Sequence, residues 1–130
     1  MFFAAPTPTL SAAISNANVT INGNQVINST NKTTEFPLRL TVNTNNRTGY
    51  TATISSESNN TALVNNSSAL LTKIDSISTP SSLANLPNNT WGYRLVSAPN
   101  YNPIPALAAP ASFRQTTEAT NGVSITDLNI

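Results

Sequence analysis

The groups in this chain able to carry chemistry are five carboxylates, two lysines and a few aromatic rings. There is no histidine and no cysteine. The usual general base and commonest metal ligand are therefore missing, and neither a Ser-His-Asp nor a Cys-His arrangement can be built within the chain. Disulfides and thiolate metal sites are excluded on the same ground, though this leaves the compartment open. Glycoside hydrolysis needs two carboxylates set across a cleft. Glu35, Glu57, Asp75, Glu118 and Asp127 are scattered, and no spacing marks a pair. The oxygen-ligand spacing of a calcium loop is absent too. The expectation is a protein that is not an enzyme, with no catalytic, cofactor-binding or metal-ligating residue and no cofactor.

Three other residue types have chemistry open to them. Trp91 and Tyr93 alternate along one stretch, and aromatic rings on a sheet surface can stack on sugars, which makes a glycan a possible partner. Large aromatics ordinarily sit in cores, and packing between sheets is the preferred reading of Trp91. Tyr101, in a proline-rich stretch, is the better candidate for an exposed contact. Lys32 and Lys73 could each close an isopeptide bond onto an asparagine if Glu35, Glu57, Asp75 or Glu118 supplied a buried acid. Isolated polar loop residues are usually plain surface, so solvated charge is the preferred reading there. Asn-X-Ser/Thr sequons begin at Asn18, Asn28, Asn31, Asn46, Asn59, Asn65, Asn66 and Asn88. With about 20 asparagines, chance alone yields about five, so glycosylation is permitted but not indicated.

Behind these residues stands an unusual composition. Asn, Thr and Ser make up roughly two-fifths of the chain, where charged residues are only 8% against an ordinary quarter or so. Low charge with 38% hydrophobic residues is unlike the disordered signature of low hydrophobicity and high net charge. Thr favours strands and Asn favours turns, so the mixture suits a sheet protein with many loops. A net charge of +1 with scattered Lys and Arg gives no basic patch, so nucleic acid and an anionic membrane surface are not expected partners. No apolar run reaches the roughly 20 residues that span a bilayer. The opening Met1-Phe-Phe-Ala-Ala-Pro6 reads as the tail of a signal peptide's apolar region, as a plain chain start, or as a buried strand.

The elements that must position everything centre on residues 36–54. Phe36, Leu38, Leu40 and Val42 alternate with Pro37, Arg39, Thr41 and Asn43, which sends one face into a core and the other into water. A turn cluster, Asn45-Asn-Arg-Thr-Gly49, separates this strand from a second alternation through Tyr50, Ala52 and Ile54. Residues 1–17 form an extended N-terminal arm or edge, because Pro6 and Pro8 cannot donate to a ladder. Residues 18–130 form one β-sandwich domain. Val19–Ile27 reads as a hairpin closed by Asn22-Gly23 in a type I′ turn. Leu63 and Val64 anchor a polar stretch. Residues 69–74 suit a short helical turn or a strand, and residues 79–87 a loop. Thr90–Leu95 is the second strong strand, with Trp91, Tyr93 and Leu95 on one face. Pro99, Pro103, Pro105 and Pro110 keep residues 97–110 extended or irregular. Phe113 marks a short strand, and Asn121-Gly122 turns into a last strand over Val123–Thr126. Six or seven short strands with turns between them make an all-β sandwich pattern.

Thr44-Asn-Asn-Arg-Thr-Gly-Tyr50, Asn89-Thr-Trp-Gly-Tyr93 and Tyr101-Asn-Pro-Ile-Pro105 together resemble recurring motifs of a family of bacterial secreted and cell-surface domains, found in Firmicutes and candidate-phyla bacteria. The resemblance runs from about residue 36 to about residue 126. It implies an extracellular, cell-surface setting and an Ig-like antiparallel β-sandwich of about seven strands without known catalytic residues. Members continue past the equivalent of Val123–Ile125 into a further Gly-Thr-Tyr-Ser-Asn-Thr strand that this sequence does not show. The last strand is then missing or supplied in trans.

An edge strand exposes unpaired N–H and C=O groups, which proteins usually guard with charge or proline. Charge is scarce here. The expected function is that of a non-enzymatic extracellular structural or adhesive surface protein. It would be a pilus- or filament-like subunit in which residues 8–27 of one copy, or a neighbouring surface domain, complement the sheet of the next. The alternative is a monomeric carbohydrate-binding or host-adhesion module using Tyr101, Tyr93 or Trp91.

Overall fold

The alternation from Phe36 onward becomes a strand, β2 (Pro37–Thr44), in which Leu38 and Leu40 are half-buried and Val42 fully buried while Pro37, Arg39 and Asn43 stay exposed. The computed structural model describes residues 7–15, 33–46, 49–64, 73–115 and 122–130. Before β2 lies β1 (Leu10–Ile14). After it come β3 (Thr51–Ile54), β4 (Leu63–Val64), β5 (Lys73–Ser76), a single 3-10 turn at Leu83–Asn85, β6 (Thr90–Trp91), β7 (Arg94–Leu95), β8 (Ala111–Gln115) and β9 (Gly122–Asn129). Among the described residues there is no α-helix, and the chain is an all-β, sandwich-like protein without a closed barrel.

Three sheets share the work. One holds four strands in the order β1-β2-β9-β7, a second pairs β3 with β8, and a third runs β4-β5-β6. The β2–β9 ladder is antiparallel over eight positions, from Pro37 opposite Asn129 to Thr44 opposite Gly122. Phe36 and Ile130 extend it by exchanging N–H to C=O bonds of 2.8 and 3.0 Å. Among the described residues the pairings are antiparallel except β5–β6, where Asp75 lies beside Thr90 and Ser76 beside Trp91 in parallel. The two alternating stretches around the Asn45–Gly49 turn go to different sheets, β2 to the first and β3 to the second. Gly49, at φ 81°, takes the left-handed conformation that glycine adopts without strain.

The core draws on all three sheets. Tyr93, Ile104 and Leu128 form its buried centre. Leu38, Leu95 and Ile130 pack on them from the first sheet, Ile54 and Phe113 from the second, and Trp91 from the third. No described side chain is completely enclosed, so the layer is thin.

Two expectations are corrected. Thr90–Leu95 is not one strand: β6 joins the third sheet and β7 the first. The break falls at Gly92, where a Cβ would stand 2.7 Å from the Asn102 carbonyl oxygen and 3.1 Å from the Ile77 Cδ1. That close approach lets Tyr93 exchange backbone hydrogen bonds with Asn102 (3.1 and 2.7 Å) and turns the chain from one sheet into the other. Leu63 and Val64 do not anchor their stretch inside. They form the outer strand of the third sheet and are exposed, because nothing described packs over that edge. Residues 73–74, at the end of the 69–74 stretch, begin β5, and the last strand is longer than the alternation suggests. The Val19–Ile27 hairpin, residues 69–72, Lys32 and Glu118 lie outside the described residues.

Gly92→Ala is expected to lower stability by about 1–3 kcal/mol through overpacking against the backbone. Leu128→Ala should cost about 2–5 kcal/mol through lost burial and a residual cavity. Urea denaturation followed by Trp91 fluorescence measures both. A Gly92→Ala protein as stable as wild type would mean the Asn102 carbonyl can retreat at no cost.

Candidate functional site

Tyr101 is not an exposed contact; it is 3% accessible. Pro103 and Pro105 hold its segment extended, and backbone bonds bind it into the body: Ser81 N–H donates to the Tyr101 carbonyl at 3.0 Å, and Tyr101 N–H to the Ser81 carbonyl at 2.8 Å. The buried hydroxyl then needs a partner. It donates to Glu35 Oε1. Arg94 completes the cluster. Its Nη2 donates to the same Glu35 oxygen at 3.2 Å, its guanidinium carbon stands 5.4 Å from the centre of the Tyr101 ring, and its Nη1 donates to the Ala98 carbonyl at 3.2 Å. With its amide turned to match its neighbours, Asn129 offers an oxygen 3.1 Å from Arg94 Nη2.

The chemistry of this cluster is that of a clamp. The Tyr101 hydroxyl first, and then the Arg94 guanidinium, hold the Glu35 carboxyl below its ordinary value of 4.5, against the opposing effect of burial. Burial first, and then the hydrogen bond to Glu35, raise the Tyr101 phenol above its ordinary value of 10.0. A depressed carboxylate bound to a cation and a neutral phenol is charged, satisfied and unsuited to proton transfer near neutral pH. What it does is tie three distant segments, before β2, around β7 and after it, to the end of β9.

The remaining candidates fall to separate places. Tyr93 is buried in the core and Trp91 half-buried, its Nε1 donating to the Thr61 carbonyl at 3.0 Å. Of the three rings named as sugar platforms, Tyr93 and Tyr101 are buried and Trp91 is half-buried with its Nε1 engaged. Lys73 sits exposed on β5 with its Nζ 3.0 Å from Asp75 Oδ1, in water rather than beside a buried acid. Glu57 is exposed. Asp127 is bound bidentately by Arg39, Nε to Oδ1 at 2.6 Å and Nη2 to Oδ2 at 2.9 Å, across the β2–β9 ladder. Among the described residues no three of Asp, Glu, His and Cys come together.

The other feature able to act on a partner is the backbone of the first sheet. At one side, every residue of β1 is exposed. Leu10, Ala12 and Ile14 stand in register with Thr44, Val42 and Leu40, the inward-facing positions of β2. Yet Leu10 is 58% and Ile14 47% accessible. On the other side, β7 covers β9 only at Leu128 and Asn129, with one further bond from Val96 N–H to the Asp127 carbonyl at 2.9 Å. Beside Gly122–Thr126 no described strand is paired on that flank. Sequence reasoning pointed to open edges through scarce charge, but not to the Glu35 cluster, whose members are 59 and 66 residues apart in the chain.

The clamp has a pH signature. Because the folded Glu35 carboxyl is held low, its contribution is complete above about pH 4.5 and fades as pH falls through the folded value; Asp127, also lowered by its Arg39 hydrogen bonds, adds to the same acid limb. Because the folded Tyr101 phenol is raised, its contribution is complete below about pH 10 and fades as pH rises through the folded value. Tyr101→Phe should lower stability at pH 7 by about 1–2 kcal/mol and weaken the alkaline loss. A profile of Tm against pH checks this; an unchanged alkaline limb would mean the phenol is not in the network.

In comparison with known proteins, no family model, no curated protein and no solved structure matches the chain.

Proposed function

We propose that this chain is a non-enzymatic, extracellular structural or adhesive surface protein that assembles by strand complementation, in the manner of a pilus- or filament-like subunit. The observation that carries the reading is the first sheet's two edges, where among the described residues no strand pairs beyond β1 on one side or beside Gly122–Thr126 of β9 on the other. Neither edge strand's open stretch carries a charged side chain: Leu10-Ser-Ala-Ala-Ile14 and Gly122-Val-Ser-Ile-Thr126 are wholly neutral. Unpaired N–H and C=O groups in such a row are a template for another strand, and strand addition is an established way to build extracellular assemblies.

The cell-surface setting rests on the resemblance of the Thr44–Tyr50, Asn89–Tyr93 and Tyr101–Pro105 motifs to secreted bacterial sandwiches. An Ig-like relationship rests on the same motifs. The N-terminal arm enters differently from a simple donated strand, since β1 is engaged with its own β2; copies add to it rather than replace it. Two of the three rings that the carbohydrate-binding alternative would use, Tyr93 and Tyr101, are buried, and no observation favours that reading.

Light scattering coupled to size-exclusion chromatography should show mass rising with protein concentration, and negative-stain microscopy at high concentration should show elongated particles. A single monomeric species at every concentration, up to the solubility limit, would overturn the reading.

A further inference from the structure

The outer edge of β1, beside which no described strand lies, has a geometry that fits a second copy of itself. In an antiparallel ladder, alternate residues turn both backbone groups to the same side. Ser15 N–H donates to the Arg39 carbonyl at 2.9 Å and the Thr9 carbonyl accepts from Asn45 N–H at 3.3 Å, so Thr9, Ser11, Ala13 and Ser15 face β2. Leu10, Ala12 and Ile14 therefore turn their N–H and C=O groups away from it, and no described strand lies beyond. The next outward position is Pro8, which has no N–H to give. The open edge is thus a row of three residues with a fixed end.

That row is symmetric about Ala12. Reversed and laid against itself, Leu10-Ser-Ala-Ala-Ile14 sets Leu10 opposite Ile14, Ser11 opposite Ala13, and Ala12 opposite its own copy. In this register every outward N–H and C=O of Leu10, Ala12 and Ile14 finds a partner. A shift of one position faces bonded residues with unbonded ones, and a shift of two leaves Ile14 opposite Pro8 or Leu10 beyond the partner's strand. The same register places the exposed Leu10 beside the partner's exposed Ile14 on the inner face, an apolar cross-strand contact. No charge stands in the strand to oppose it.

We infer that the partner of β1 is β1 of a second copy, antiparallel about a two-fold axis through Ala12, which joins two four-stranded sheets into one of eight strands. The contact is isologous and closes on itself. It leaves the opposite edge of each sheet, beside Gly122–Thr126, for the second contact that a filament needs. The inference rests on the proposed strand-complementation function and adds the identity and register of one of its joints. An interface of five residues a side is small, so the joint is weak and exchanging.

Covalent capture suits such a joint, and the cysteine-free sequence makes it clean. Ser11 and Ala13 would face each other as a non-hydrogen-bonded pair, the closer of the two cross-strand spacings, within disulfide reach. An oxidised mixture of Ser11→Cys and Ala13→Cys proteins should therefore yield cross-linked dimer, many-fold more than either protein alone. Ala12→Lys, added to both, would set two ammonium groups opposite one another and should abolish the mixed cross-link, with circular dichroism showing the sheet intact. Equal cross-linking in the mixture and in the single variants overturns this register. Concentration-dependent assembly of wild type with no mixed cross-link overturns the β1 joint while leaving strand complementation standing. A wild type that stays monomeric overturns both.

Discussion

Two hydrogen-bond ladders share β2, and the rest of the molecule follows from that sharing. On one side β9 matches it position for position over its whole length. On the other, β1 matches it from Leu40 to Thr44. A strand bonded on both sides has no free edge, so its face pattern is fixed: a slip of one residue would turn Leu38, Leu40 and Val42 into water. Thr44 shows how tightly this is set. It is the one buried polar residue among those described, and its hydroxyl donates to the Thr9 carbonyl at 2.7 Å while accepting from Asn46 N–H at 3.0 Å. One side chain thereby ends β1 and starts the turn toward β3.

How much of this could be read from the sequence depends on the range of the interaction. The alternation through Phe36–Val42 and Tyr50–Ile54 is local, and it predicted both strands and their buried faces. Pro6 and Pro8 offered an extended arm or an edge for the N-terminal segment, and Leu10–Ile14 lies as the outer described strand of the first sheet. What the pattern could not show is where a strand leaves its sheet. Trp91, Tyr93 and Leu95 alternate as well as any run in the chain, yet Gly92 breaks them because the Asn102 carbonyl comes close, ten residues on. Tyr101 misled for a similar reason. Its proline-rich neighbours predict an extended segment correctly, but extension does not decide exposure. That was decided by pairing with Ser81 and by a carboxylate at Glu35 that no local rule connects to it.

The Glu35 cluster also explains how a chain with so little charge uses it. Most exposed ion pairs contribute little, since both partners are well solvated and must be ordered. Glu35, Arg94 and Tyr101 escape that limit in part because the phenol is buried and the guanidinium lies against its ring. Part of the charge sits where it joins distant segments, and the β1 edge of the first sheet is left neutral. The same division holds at Arg39 and Asp127, whose bidentate contact spans the β2–β9 ladder and adds geometric specificity to the register more than energy.

Neutral edges raise the question of what limits pairing when charge does not. Proteins commonly stop edge growth with lysine or an inward-facing charge, and neither is present in β1. Its limits are made from the ends instead. Toward the N-terminus Pro8 removes the next outward donor, and Asn45 holds the strand there, its Oδ1 accepting from Thr9 N–H at 2.7 Å and its Nδ2 donating to the Thr7 carbonyl at 3.1 Å. Toward the C-terminus the Ser15 hydroxyl accepts from Arg39 N–H at 2.9 Å, occupying a β2 donor that would otherwise extend the ladder. The Ser15 contact ends the β1–β2 ladder, and Pro8 is the stop that acts on the outward row. A charged edge forbids partners in general, whereas a short neutral edge closed by a proline at one end narrows the registers a partner can take, which favours specific assembly over indiscriminate aggregation.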